Sequence, residues 1–145
     1  MNIVIVGCGR VGARLAIDLV NEGHHVAIVD LKQTAFRRLP ERFPGQLIIG
    51  TGIDEDVLRS AGIESADAFI AVTDNDNTNI MAAQIAQVLY RIPTVILRIY
   101  DPERAEIYRE LGLHVICPTT AVATKIEDAI HQAQQAASAS TTEQR

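Results

Sequence analysis

Tryptophan is absent from the chain, and only three phenylalanines and three tyrosines occur in its 145 residues. A core without large aromatics must be filled by Val, Ile, Leu and Ala, as in a buried parallel sheet flanked by helices. There are only two cysteines, Cys8 and Cys117. They lack zinc-ligand spacing and suggest no disulfide framework. Basic residues are in the minority, 13 Lys and Arg against 18 Asp and Glu for a formal net charge of −5. With no basic stripe to reverse that balance, nucleic acid is not an expected partner. His24, His25, His114 and His131 form no His/Cys/carboxylate constellation, so no metal centre is expected. No apolar run approaches the ~20 residues that cross a bilayer. Met1 runs straight into the first apolar segment with no signal peptide before it, which predicts a cytoplasmic protein. The length suits one domain and leaves no room for a dinucleotide domain plus a substrate domain. No general acid/base pair stands out, so no catalytic residue is expected.

What is present starts at the first residues. Asn2-Ile3-Val4-Ile5-Val6 is a short β-branched run that reads as a buried parallel strand. It runs directly into Gly7-Cys8-Gly9-Arg10-Val11-Gly12 and then an apolar-periodic segment through Leu15, Leu19 and Val20. Strand, Gly-x-Gly-x-x-Gly, helix is the dinucleotide-binding arrangement. Gly7 allows the tight turn, Gly9 lets backbone approach a pyrophosphate, and Gly12 lets the helix pack close. The helix-start N–H groups point at the phosphates. The next apolar run, Val26 to Val29, ends in Asp30, eighteen residues beyond Gly12, with Leu31 following. An acid there accepts hydrogen bonds from ribose hydroxyls and repels a 2′-phosphate, which favours NAD or NADH, or alternatively ATP or ADP, over NADP.

The rest of the chain repeats strand and helix. Residues 31–42 read as a basic helix bounded by Pro40 and Pro44, Leu47 to Ile49 as a strand before Gly50-Thr51-Gly52, and 54–61 as a short helix capped by Gly62. Ala68 to Val72 is the fourth strand, and Thr73-Asp74-Asn75-Asp76-Asn77-Thr78-Asn79 opens a long helix reaching Leu89. Thr94 to Ile99 is the fifth strand, Asp101-Pro102-Glu103 a strong helix start, and His114 to Cys117 the sixth strand. A last helix, 118–137, carries Val122, Ile126, Ala129, Ile130, Ala133 and Ala137 on one stripe. The Ser/Thr/Gln-rich end, 138–145, is expected to be disordered. The expectation is one domain over residues 1–137, a Rossmann-like α/β fold. Its doubly wound, six-stranded parallel sheet has the order 3-2-1-4-5-6, with an extra C-terminal amphipathic helix. Polar residues at strand carboxyl ends then face the crevice: Asp30, Thr51 with Gly52, Thr73, Asp74 and Arg98.

Some of these side chains admit a bland reading. Arg10 is either a phosphate ligand or a solvated charge on the first helical turn, with the phosphate role favoured. Asp74 and Asp76 suit N-capping, and one of them is expected to cap. Asn79 is expected to tie the helix start to a neighbouring loop. Arg98 cannot be buried unpaired, and an internal ion pair is favoured over ligand contact. Arg37 and Arg38 are most simply solvated, although one could reach the adenosine side. The last helix leaves its apolar stripe without a layer to cover, which predicts a homodimer through residues 118–137 and, beyond it, a tetramer or octamer.

Taken together these motifs resemble the RCK N-terminal domain, also called KTN or TrkA-N. The resemblance is carried by the glycine loop, Gly23-His24, Asp30, Leu58 with Ala61-Gly62-Ile63, and Ala66-Asp67-Ala68. It continues through the Thr73-to-Asn79 run, Arg98 with Asp101-Pro102, and Leu111-Gly112 with Pro118, so that it covers roughly residues 1–130. It implies a cytoplasmic regulator of potassium channels or of Trk/Ktr potassium transporters, at the inner face of the membrane through its partner. Such domains bind NAD, NADH, ATP or ADP without catalysis, and the bound species biases the geometry of a subunit ring. Arg10 would then meet a terminal phosphate of its own or a neighbouring subunit. By the same resemblance Asp101 and Glu103 would form part of a divalent-ion site, as in some calcium-gated relatives, but capping at Pro102 is the simpler account. Thr51 departs from the acid that many relatives carry after the third strand, and Thr119 from the acid some place after the sixth. The usual C-terminal ligand-binding lobe has no counterpart in the sequence. The competing readings are the cofactor domain of a small NAD-dependent oxidoreductase and a structural oligomer with a vestigial pocket.

Overall fold

The computed structural model describes residues 1–144. Six strands, β1 (Asn2–Val6), β2 (His25–Asp30), β3 (Gln46–Ile49), β4 (Ala68–Ala71), β5 (Thr94–Arg98) and β6 (His114–Ile116), form one parallel sheet in the order β3-β2-β1-β4-β5-β6. Between them lie α1 (Arg10–Asn21), α2 (Glu55–Ser60), α3 (Asp76–Gln84) and α4 (Pro102–Glu110), and α5 (Pro118–Glu143) follows β6. The expected strand order is therefore the observed one. Parallel strands need crossovers of right-handed sense. Because the strand order reverses at β1 these put helices on both faces, and all strand carboxyl ends gather at one edge.

Two apolar layers hold the sheet. On one face Ile3, Ile5 and Ile28 meet Ala13 and Ala16 of α1. On the other Val4, Val6, Phe69 and Leu97 meet Leu58 of α2, Ile80 and Ala83 of α3, and Ala105 of α4. The small residues let α1 and α3 approach closely without large aromatics. The first turn is the tightest point. Gly7 has φ +107°, and a β-carbon on it would sit 2.8 Å from the Val72 carbonyl oxygen. A β-carbon on Gly12 would run into the Gly7 carbonyl oxygen.

Three segments differ from the sequence reading. The expected helix over 31–42 is a 3₁₀ segment confined to Gln33–Arg38. The Asp30 carboxylate accepts from the Lys32 N–H at 2.9 Å, which holds the chain out of a helix at the start. At the other end Leu39, which precedes Pro40, is extended (ψ 149°). The long helix expected to reach Leu89 is α3 only to Gln84 and closes with a π-helical stretch, Ile85–Leu89. Of the end expected to be disordered, 138–145, residues from Ser138 continue α5 to Glu143, and Arg145 lies outside the described residues. The alanine-rich run contains no breaker, and the Ser140, Thr141 and Thr142 hydroxyls turn back to carbonyls four residues earlier.

No residue of α5 is buried, and Val122, Ile126 and Ile130 are each more than half exposed. On the sheet, Ile116 of the edge strand β6 is also 48 % exposed.

Gly12→Ala is expected to lower stability by roughly 1–3 kcal/mol, because backbone must move to relieve the contact with Gly7. Gly9→Ala stays within about 1 kcal/mol, since a β-carbon there meets nothing within 4 Å. Urea unfolding of both variants checks the contrast. A second prediction concerns Cys8, which is fully buried in the α1-side layer. Burial, with the Asp30 carboxylate adding to it and Arg38 opposing, pushes its thiol up from 9.0 to about 11. The folded chain thus keeps a proton that the unfolded chain releases above pH 9. Stability contributed by this group is intact below pH 9 and declines between pH 9 and 11. Urea midpoints at pH 8 and pH 10.5 should fall more steeply for the parent chain than for Cys8→Ala.

Candidate functional site

Parallel strands deliver their carboxyl ends to a cleft of about 680 Å³. Gly7, Cys8, Gly9, Arg10 and Val11 form its floor. Asp30, Leu31, Thr51 and Gly52 stand on one side, and Thr73, Asp74 and Arg98 on the other. Every site residue expected from sequence lines this cleft except Gly12, which lies beneath the loop against Gly7. A second hollow, about 530 Å³, opens at the amino end of the sheet around Gly23, His24, His25 and Gly45. It has neither a glycine loop nor strand carboxyl ends, and the chemistry concentrates at the opposite edge.

The floor is held by Asp30. Its carboxylate accepts from the Cys8 N–H at 2.8 Å and from the Lys32 N–H at 2.9 Å, so β2 fixes the glycine loop that follows β1. Each oxygen keeps a lone pair for another donor. The Cys8 thiol donates to the Ala35 carbonyl at 3.5 Å and is no nucleophile, since burial keeps it protonated. Gly52 is small because a β-carbon would press into the Val6 side chain, and the Thr51 hydroxyl accepts from the Ile53 N–H at 3.4 Å.

The far wall depends on Asn79, the one buried polar side chain among the described residues. Its amide oxygen accepts from the Thr73 N–H (2.9 Å) and hydroxyl (2.6 Å). Its amide nitrogen donates to the carbonyls of Thr73 (3.1 Å) and Arg98 (2.9 Å). The expected tie to a neighbouring loop is thus a junction between the ends of β4 and β5. Capping differs from expectation. Asn75 caps α3 by accepting from the Thr78 N–H at 3.0 Å, whereas Asp76 accepts from the Tyr100 N–H at 3.0 Å and holds the β5–α4 turn. Asp101 caps α4 as expected, accepting from Glu103 at 3.1 Å.

Arg98 also departs from the favoured reading, because no carboxylate pairs with it among the described residues. Its Nη2 donates to the carbonyls of Val72 (2.9 Å) and Thr73 (2.8 Å), beyond the last residue of β4, where the ladder ends and carbonyls can accept from side chains. Its guanidinium lies 4.7 Å from the Tyr100 ring centroid. Its Nε is buried with no hydrogen-bond partner.

Four cations, Arg10, Lys32, Arg38 and Arg98, therefore border the cleft against two carboxylates, Asp30 and Asp74. None of the four is ion-paired among the described residues. In a chain of net charge −5 this local excess, with helix-start N–H groups beside it, suits a polyanion. Lys32, Asn75, Thr78 and Tyr100 were missed as lining residues. A signal for Tyr100 existed: Arg98 and Tyr100 are two apart at a strand end, a spacing that puts both on one face.

Comparison with known proteins agrees with this geometry. The TrkA-N domain family matches residues 3–118. The Trk system potassium uptake protein TrkA of Streptomyces coelicolor is 51 % identical over 116 residues, covering 80 % of this chain and 52 % of that protein. A TrkA homolog of Methanothermobacter thermautotrophicus is 34 % identical over 131 residues, 90 % of this chain and 60 % of its own. The chain thus spans about half the length of the curated relatives it matches. Among solved structures, the TrkA-N domain of the Escherichia coli inner membrane protein ybaL superposes with a TM-score of 0.78 at 20 % identity, covering 88 % of this chain and 95 % of that one. The GsuK channel bound to NAD gives 0.68 at 23 %, covering 83 % and 22 %, and GsuK bound to ADP gives 0.66 at 22 %, covering 80 % and 31 %. With strand order, glycine loop, acid after β2 and family match in agreement, the chain belongs to the TrkA-N domain family.

Proposed function

We propose that the cleft binds an adenine nucleotide, NAD(H) or ADP/ATP, and that the domain is a cytoplasmic regulatory module of a potassium transport system, without catalysis. The observation that carries this reading is Gly9. Its backbone (φ −80°, ψ −162°) is open to most residues, and no atom lies within 4 Å of where its β-carbon would be. Neither conformation nor packing asks for glycine there, so the space over it suits a ligand that must come close to backbone, as a pyrophosphate does. The unpaired cations around it and the names of the relatives point the same way. Asp30 accepts ribose hydroxyls and Arg10 faces the terminal phosphate, with Thr73 and Arg98 on the opposite wall.

Regulation follows if the ligand prefers one arrangement of paired subunits, since equal affinity for two arrangements shifts nothing. The pairing surface is α5, whose exposed Val122, Ile126 and Ile130 are most simply covered by a second copy of the chain, with tetramer or octamer assembly beyond the dimer. The membrane partner is a potassium transporter or channel subunit, met at the inner face.

Thermal shift of the purified chain with NAD, NADH, ATP, ADP and NADP is the direct test. Selective stabilisation by one or two ligands is expected, with NADP at least about tenfold weaker, and Asp30→Asn should narrow that gap. Gly9→Val should abolish the shift. A flat response to all five would favour a vestigial pocket. In light scattering at micromolar concentration the parent chain is expected as a dimer and Ile126→Asp as a monomer. A monomeric parent would remove the α5 interface.

A further inference from the structure

We propose that Tyr100 is a positioning residue of the cleft, whose ring fixes the Arg98 guanidinium and whose carbonyl joins that guanidinium to the first turn of α5. The inference deepens the nucleotide reading above and rests on it. Arg98 has no carboxylate to hold it among the described residues; two carbonyls and an aromatic face do so instead. The carbonyls of Val72 and Thr73 engage only Nη2, so a single nitrogen could pivot without the ring against the guanidinium. A π-face 4.7 Å away restrains the plane and favours the charge. Tyr100 is itself 41 % exposed and lines the cleft beside Arg98.

The main chain of the same residue is anchored on both sides. Its N–H donates to Asp76 Oδ1 of α3 at 3.0 Å. Its carbonyl accepts from the Thr119 hydroxyl at 2.8 Å and from the Cys117 thiol at 3.6 Å, both at the start of α5. Thr119, which stands where the resemblance implies an acid in some relatives, thus holds a protein carbonyl. Cleft wall and α5 meet at one residue. A ligand anion that engages Arg98 therefore bears on Tyr100 and, through Thr119, on the root of the helix proposed to pair subunits.

Calorimetric titration of the full chain with ADP and with adenosine tests the positioning role. Tyr100→Phe keeps the ring and should bind both within twofold of the parent. Tyr100→Leu, with Tyr100→Met as the second non-aromatic variant, should weaken ADP about 5- to 20-fold and adenosine less than twofold, because only the anion depends on a placed guanidinium. Equal loss for both ligands, or no loss for ADP, would overturn the proposal. Hydrogen exchange tests the connection. ADP should slow exchange in peptides covering residues 118–124 of the parent chain. In Thr119→Val, which removes the hydroxyl donor, it should not, although ADP affinity stays within twofold. Slowing that survives in Thr119→Val, or that is absent from a parent chain shown to bind ADP, would sink the connection. A parent chain that gives no heat with any of NAD, NADH, ATP and ADP overturns the nucleotide reading together with the inference; where ADP alone is silent, the nucleotide that does bind takes its place in both experiments.

Discussion

The closeness of α1 to β1 is the constraint on which the rest of the molecule depends. The α-carbon of Gly12 packs against the Gly7 carbonyl, at a distance that no β-carbon could share. That contact brings the start of α1 directly over the end of β1 and turns its unsatisfied N–H groups toward the cleft. Because the sheet is parallel, Asp30 and Thr73 reach the same edge from β2 and β4, the strands on either side of β1. Asp30 then closes the arrangement by taking the Cys8 N–H, a backbone donor that would otherwise be left within a fully buried residue. Fold and site share these contacts. The residues that shape the floor of the cleft also close the turn.

The two walls are built on different principles. The Asp30 wall is a carboxylate held by main-chain donors, rigid and with lone pairs to spare. The Arg98 wall is a cation held by main-chain acceptors, at a strand end where the ladder has run out of partners. Asn79 makes that second wall possible. Its amide spans Thr73 and the Arg98 carbonyl with four hydrogen bonds, in a fully buried position where an unmet amide would be costly. An isosteric carboxylate would face two carbonyls with no proton to give.

Much of this was legible before any coordinates, for reasons that can be stated residue by residue. The strand order followed from β-branched runs alternating with helical segments, because parallel crossovers have one hand and short connections. Asp30 was legible because its distance from the glycine loop is fixed by one helix and one strand. Capping by Asn75 was not. In a polar run from Thr73 to Asn79 several side chains can cap, and the burial of Asn79 sets the phase that chooses among them. The partners of Arg98 were hidden because carbonyls carry no mark in a sequence; which ones are free depends on where β4 stops pairing. The helical tail beyond Ser138 was misread because composition was weighed over propensity, although alanines at 133, 136, 137 and 139 continue the helix without a breaker.

Acidic overall and cationic at one edge, the chain concentrates its free positive charge where strand ends and a helix start already favour an anion. Pairing four cations with surface acids would have been easy in a chain with 18 carboxylates. Several of those acids are engaged elsewhere, at helix starts (Asp54, Asp101), at the β5–α4 turn (Asp76), and in exposed pairs with Arg14, Arg59 and Arg109. Such exposed pairs contribute little to stability, about 0–1 kcal/mol each, so moving one to the cleft would sacrifice little folding free energy. What it would remove is the unneutralised field over Gly9. The unspent charge is therefore better explained by a ligand than by the fold, and α5, equally unused by the monomer, lies one hydroxyl away from the same wall.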